Sequence, residues 1–207
     1  VIFVQENFWQ GIEVNYLGTK KLLNFRKKHN IHGFIQISTD KAVKPTTFMG
    51  LSKRLAELAV LSDQFSNKKN SENVNTIVRF GNVIGSSGSV IPIFQNLIKN
   101  NKPIIVFDRE LKRFMMTINE AVSLVLIASK FNFTRSIFIL DMGKEISILE
   151  LAKKMIIYNG SKYTFNDPKY NEIQIKFSKL PDYEKLSEVL YFNELPQKTK
   201  NKKILYI

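Results

Sequence analysis

Apolar residues recur at helical spacing through Phe8, Ile12, Tyr16 and Leu23, and the run closes on Arg26-Lys27-Lys28, which predicts an amphipathic helix from Asn7 to about His29. Gly33 to Ser38 then reads as a short buried strand. Leu51, Leu55, Leu58, Ala59 and Phe65 predict the core face of a second helix that ends in a polar loop over Ser66 to Asn73. Val74 to Phe80 predicts the next strand. A glycine- and serine-rich loop, Gly81 to Ser89, leads from it into a helix over Val90 to Lys99. Strand, loop and helix thus alternate in the order of a parallel sheet.

The second half of the chain is less regular. Ile104 to Phe107 reads as a brief strand and Asp108 to Phe114 as a charged loop. Thr117-Ile118-Asn119-Glu120 has the form of a capping box, and Ile118, Ala121, Val122, Val125 and Leu126 predict the stripe of the helix it opens. Ser147-Ile148-Leu149-Glu150 repeats the device after a strand over Ser136 to Leu140, with Ile148, Leu151, Ala152, Met155 and Ile156 as the buried face. Beyond Asn159 the pattern thins to a strand over Ile173 to Phe177, a short helix over Glu184 to Leu190 and an apolar end at Ile204 to Ile207. The fold class is therefore α/β, with a sheet domain over 1–98 and a smaller region over 99–207 whose late segments can return to the sheet.

Composition narrows the chemistry. Of the 207 residues, 44% are hydrophobic and 24% charged, which is the balance of a globular protein. No apolar run approaches the roughly 18 residues of a membrane span. With no cysteine and only His29 and His32, thiolate and histidine-rich metal sites are excluded, so catalysis falls to Asp, Glu, Lys, Ser, Thr or Tyr, or to a cofactor. The net charge of +13 favours anionic ligands. The lysines, however, are scattered among asparagines, and no helix-turn-helix, zinc or RNA-binding signature accompanies them, so nucleic acid is not expected as a partner. The start at Val1, without a signal pattern, reads as a fragment.

The densest chemistry lies where the first strand stops. Ser38-Thr39-Asp40-Lys41 sets hydroxyl, carboxylate and amine groups at a strand end, where open α/β sheets bind ligands, and Met49 and Lys53 share one face of the next helix. On the residues alone, Thr39 and Asp40 could equally cap a turn, Lys41 be solvated and Met49 fill space. The free N–H groups at the Ser89-Val90 helix start could hold a phosphate, but no G-x-G-x-x-G is present.

Several motifs in order carry a resemblance: Asn15-Tyr16-Leu17-Gly18-Thr19, Ser38-Thr39-Asp40-Lys41, Pro45 through Arg54, Val78 through Pro92, Arg113 through Ile118, and Leu140-Asp141-Met142-Gly143. Together they resemble the CapD-like polysaccharide biosynthesis proteins, UDP-N-acetylglucosamine 4,6-dehydratases of the extended short-chain dehydrogenase/reductase superfamily. The resemblance implies a partial Rossmann-like parallel sheet, lacking its N-terminal strand-helix units, and a smaller C-terminal substrate-binding region. It also implies NAD or NADP, held mainly by the part of the family fold that precedes Val1, a UDP-sugar substrate and a homo-oligomer. The implied location is cytoplasmic, at the inner-membrane face where full-length relatives are anchored.

In that family's chemistry Asp40 resembles the acid that protonates the departing carbon 6 hydroxyl, and Lys41 the base at carbon 5. A lysine acts as a base only when deprotonated, which desolvation and the like charge of Lys53 would favour. Thr39 would hydrogen-bond the sugar near carbon 4, Ser38 and Lys53 would lie on the cofactor side, and Asn82, Ser89, Val90 and Arg113 on the nucleotide and diphosphate side. Met49 stands where most of the superfamily has the tyrosine of Tyr-x-x-x-Lys, and a thioether cannot take a hydroxyl proton. The resemblance assigns Met there to the long, membrane-anchored branch. Lys179 through Leu186 keeps the Glu-Lys-Leu of a family motif but has Pro181 in place of its arginine. The remaining alternatives are an epimerase of the same superfamily and a non-catalytic nucleotide-sugar binding domain.

Overall fold

A computed structural model describes residues 2–66, 74–86, 88–131, 133 and 136–207; the loop expected over Ser66 to Asn73 lies, beyond Ser66, outside the described residues, as do Ser87 and the Phe65 side chain. In chain order the helices are α1 (Ile2–Glu6), α2 (Phe8–Gly11), α3 (Gly18–Lys28), α4 (Phe48–Ser66), α5 (Val90–Lys99), α6 (Ile118–Ala128) and α7 (Ile148–Tyr158). The strands are β1 (Gly33–Thr39), β2 (Val74–Phe80), β3 (Asn82–Ile84), β4 (Ile104–Val106), β5 (Lys112–Arg113), β6 (Met115–Thr117), β7 (Ile137–Leu140), β8 (Ile146–Ser147), β9 (Lys162–Thr164), β10 (Glu172–Phe177), β11 (Gln197–Lys198) and β12 (Ile204–Tyr206). A π-helical turn, Ile12–Leu17, joins α2 to α3, and a 3-10 turn, Asp40–Ala42, follows β1.

The chain forms two compact units, one from residues 1–81, 119–141 and 189–207, the other from 82–118 and 142–188. The first holds a five-stranded sheet in the order β1-β2-β7-β12-β11. Its first three strands are parallel, as expected of strand-helix-strand connections, and β12 returns antiparallel to β7. Leu23, Val60, Ile77 and Ile137 pack into one buried cluster of this unit, with Phe34, Ala59, Leu61 and Ile207 around them.

In the second unit β4, β10 and β9 form a parallel three-stranded sheet, and short pairings join β3 to β6 and β5 to β8. Phe94 and Ile98 of α5 and Ile148, Ala152 and Ile156 of α7 bury against Ile104, Val106, Ile173 and Ile175 of that sheet. The second capping device forms as the sequence predicts: Ser147 Oγ accepts from Glu150 N–H at 3.3 Å.

Three expectations are corrected. α4 turns Ser52, Ala56, Glu57, Val60 and Asp63 inward, while Leu51 and Leu58 remain exposed. α6 buries Ala121, Leu124 and Ala128, leaving Ile118, Val122 and Leu126 exposed. Both helices carry apolar residues on more than one face, so periodicity alone cannot choose which one packs. The helix expected over Glu184 to Leu190 does not form; the segment runs as bends and irregular backbone, with Glu184 paired to Arg113 and the Leu186 carbonyl bonded to Lys112 N–H.

Candidate active site

The carboxyl end of β1 is the most chemically crowded place in the first unit. β1 places β-branched residues at alternate positions, Ile35, Ile37 and Thr39, and ends at Thr39, whose extended backbone opens the 3-10 turn and whose Oγ1 accepts from Lys41 N–H at 3.4 Å. The same hydroxyl donates to Asp40 Oδ1 at 2.9 Å, and Lys41 Nζ reaches that oxygen at 3.1 Å. Asp40 is fully buried, and its Oδ2 has no hydrogen-bond partner among the described residues. A buried carboxylate oxygen left without a partner carries a desolvation cost.

α4 closes over this turn. Thr47 Oγ1 caps it by accepting from Gly50 N–H at 3.0 Å. A Cβ at Gly50 would overlap the Lys41 carbonyl oxygen, so only glycine lets the helix rest directly on the turn. Met49 is half-buried at the start of α4. Lys53, one helical turn on, sends Nζ to the Ile37 carbonyl at 3.4 Å. Burial pushes the Lys53 amine below its ordinary 10.5, and Glu57 opposes the shift by attraction.

Ser38 is buried, and its Oγ donates to Glu57 Oε1 at 2.6 Å. That contact belongs to a network the sequence analysis missed: Arg79 grips Glu57 through Nε and Nη2, each at 2.6 Å, and Arg54 adds Nη1 at 2.8 Å. Burial alone would raise the Glu57 carboxyl; the Arg79 hydrogen bonds and charge, with hydrogen bonds from Ser38 and Arg54, outweigh it and hold the group below its ordinary range. A sequence signal existed, since an arginine inside an otherwise buried strand requires a partner. Asn15, in the π-helical turn, donates to Ser52 Oγ at 2.9 Å and so braces α4 beside Lys53.

The remaining candidates belong to the second unit. Asn82 opens β3, with its N–H on the Phe114 carbonyl at 3.0 Å. Ser89 precedes Val90 at the start of α5; its Oγ makes no capping bond and is buried without a partner among the described residues. Arg113 is buried, donating from Nη2 to Glu184 Oε2 at 2.8 Å and from Nη1 to the carbonyls of Lys112 and Leu186 at 2.7 and 3.2 Å. The structure thus gathers Ser38, Thr39, Asp40, Lys41, Met49 and Lys53 around one strand end, and Asn82, Ser89, Val90 and Arg113 within the other unit.

A parallel sheet crossed by α4, with a hydroxyl, an acid–amine pair and a helix lysine at one strand end, defines a Rossmann-like protein of the short-chain dehydrogenase/reductase type. The chain belongs to the polysaccharide biosynthesis protein family, matching it over residues 1–207. It is 41% identical over 204 residues to the capsular polysaccharide biosynthesis protein CapD of Staphylococcus aureus, covering 98% of this chain and 32% of that one. It is also 34% identical over 164 residues to a UDP-glucose 4-epimerase of Rickettsia bellii, covering 79% and 48%. Among solved structures, Pen from Bacillus thuringiensis superposes with a TM-score of 0.84 at 32% identity, over 99% of this chain and 60% of that one. More distant structures, 15% and 16% identical and some with NAD bound, share the fold alone. The chain spans about a third of the length of CapD.

Among the described residues β1 is the outer strand of its sheet, and a groove of about 490 Å³ beside it is lined by Asn15, Thr19, Ile35, Ile37 and Lys53. Lys53 makes one long contact to a main-chain carbonyl there and keeps N–H donors for hydroxyl groups. That is what a nicotinamide ribose requires. No helix among the described residues is long and apolar enough to cross a membrane.

Proposed function

We propose that the protein carrying this chain is an NAD-dependent nucleotide-sugar 4,6-dehydratase. It would convert UDP-N-acetylglucosamine to a UDP-4-keto-6-deoxy sugar for surface polysaccharide synthesis. The observation that carries the reading is the buried Asp40–Lys41 pair, 3.1 Å apart at the end of β1. Eliminating water across carbons 5 and 6 needs an acid and a base at those two carbons, beyond the single proton acceptor at carbon 4 that redox epimerisation also requires. As an ion pair the two groups share one proton. Its transfer from Lys41 to Asp40 leaves the net charge at zero and makes a neutral acid beside a neutral amine.

Lys41 then takes the carbon 5 proton while Asp40 protonates the departing hydroxyl, and the resting ion pair returns. When bound, NAD supplies the hydride acceptor for carbon 4 and the donor for carbon 6. Lys53 holds the nicotinamide ribose, with Ser38 behind it anchoring the strand end, and Thr39 hydrogen-bonds the sugar near carbon 4. Met49 cannot accept a proton, so, with Asp40 already protonated by Lys41, the carbon 4 hydroxyl proton goes to water directly or relayed through Thr39, and Lys41 returns a proton to carbon 5 when hydride reaches carbon 6. Asn82 and the Ser89-Val90 helix start serve the nucleotide, and Arg113 serves the diphosphate.

The relative from Rickettsia bellii supports a second reading, a UDP-sugar epimerase. Incubating the full-length protein with UDP-N-acetylglucosamine and NAD, and weighing the product by mass spectrometry, decides between them. A product lighter by one water, carrying solvent deuterium in D₂O, is expected, and Asp40→Asn should lower kcat about 10²–10⁴-fold. A product of unchanged mass with one stereocentre altered favours the epimerase. Calorimetric binding of UDP-sugar without turnover would make the protein a binding domain.

A further inference from the structure

Behind the turn that bears Asp40 and Lys41 sits a charged cluster that the elimination does not use. Glu57 is fully buried, and each of its oxygens accepts two hydrogen bonds: Oε1 from Ser38 and Arg79, Oε2 from Arg79 and Arg54. One carboxylate therefore ties three elements together at the ligand end of the sheet. Ser38 lies on β1 immediately before Thr39-Asp40-Lys41, Arg79 is its register partner on β2, and Arg54 and Glu57 lie on α4. Lys53 precedes Glu57 by four residues, the spacing at which helix side chains are neighbours.

We propose that Glu57 is a positioning residue for this site: it locks the end of β1 against α4 and, balanced by Arg79 and Arg54, sets the charge that Lys53 presents to the cofactor. The inference rests on the reading of Lys53 as the ribose ligand. Around Lys53 and Glu57 the charged groups are Arg54 on α4, Arg79 on β2, Asp40 and Lys41 on the turn, and Lys21 of α3, which lines the Lys53 groove. Lys44 and Glu194 line a cavity of about 270 Å³ with Arg54 and Arg79 on the other side. Within this set Glu57 carries the negative charge gripped by both guanidinium groups. Neutralising it leaves Arg54 and Arg79 without their shared carboxylate beside Lys53, whereas neutralising Arg54 leaves Glu57 less screened and more attractive to Lys53. The two changes act on Lys53 with opposite sign, which loss of packing does not do.

The test is an NMR titration of the lysine side-chain amines in the full-length protein, with the Lys53 signal assigned by its loss in Lys53→Arg. Glu57→Gln is expected to move the Lys53 midpoint to lower pH and Arg54→Met to higher pH. Glu57→Gln should also move the loss of NAD affinity with rising pH to the same lower range. Should Glu57→Gln fail to fold, Arg54→Met decides: it touches the network from a side chain 36% exposed. An upward shift supports the proposal; no shift, or shifts of the same sign in both variants, overturns it. The dehydratase reading fails separately, by absence of water loss in the unsubstituted protein.

Discussion

Gly50→Ala isolates the contact on which α4 and the Asp40–Lys41 turn depend. Within a helix this change normally stabilises by roughly 0.5–1 kcal/mol, because alanine restricts the unfolded chain and glycine does not. At position 50 the new methyl meets the carbonyl oxygen of Lys41, with Lys41 C at 3.0 Å and Thr47 Oγ1 at 3.1 Å. The obstacle is backbone in a turn whose neighbours Asp40 and Ala42 are buried, so no flexible side-chain tip can swing away. Overpacking of this kind costs about 1–3 kcal/mol. After subtracting the helix gain, a net loss of up to about 2.5 kcal/mol is expected. Relief by sliding α4 outward moves Lys53 relative to Asp40 and Lys41, and a displacement of about 1 Å at a reacting centre costs on the order of 10²-fold in rate. Gly18→Ala is the matched control: its Cβ would meet only the Glu13 carbonyl at an ordinary 3.6 Å, so it should gain stability. Urea midpoints and turnover of the full-length protein report both effects. Equal or greater stability for Gly50→Ala, with unchanged turnover, would refute the claim that the helix rests on the turn.

Two further outcomes follow from groups described above. Arg113→Met should weaken binding of a UDP-sugar by calorimetry far more than Lys112→Met, and Glu184→Gln, which releases the Arg113 guanidinium from its 2.8 Å ion pair, should strengthen it. Glu57 titrates below its unfolded value near 4.5, so its contribution is fully present above that pH and is lost as pH falls through the folded value; Glu57→Gln should unfold with a flatter dependence across that acid range.

Much of the framework was legible because the local signals agreed with the global fold. β1, β2, α5 and α7 occupy nearly the residues that alternation, turns and the Ser147 cap predict. The faces of α4 and α6 were not legible, because Leu51, Leu58, Val122 and Leu126 are as apolar as the residues that pack, and only the neighbouring sheet decides between stripes. At the site, the turn residues announced themselves by clustering in sequence. Glu57 did not: an isolated glutamate on a helix reads as solvated, and it becomes a buried anchor only when the register sets Ser38 beside Arg79. The helix expected over Glu184 to Leu190 failed for a related reason, since long-range bonds to Lys112 and Arg113 outcompete local propensity.

The antiparallel return of β12 along β7 also bears on how the chain is made. β1 and β2 are joined by a single helix and can pair before the strands that follow, but β7 reaches them only after the second unit's first segment has been synthesised, and β12 only after its second segment. Until β12 arrives, the apolar strand Ile137-Phe138-Ile139-Leu140 presents an unprotected edge, which is a template for association between nascent chains. A chain stopped between Leu140 and Ile204 should therefore accumulate as aggregates, and protection by a chaperone matters most while that interval is synthesised.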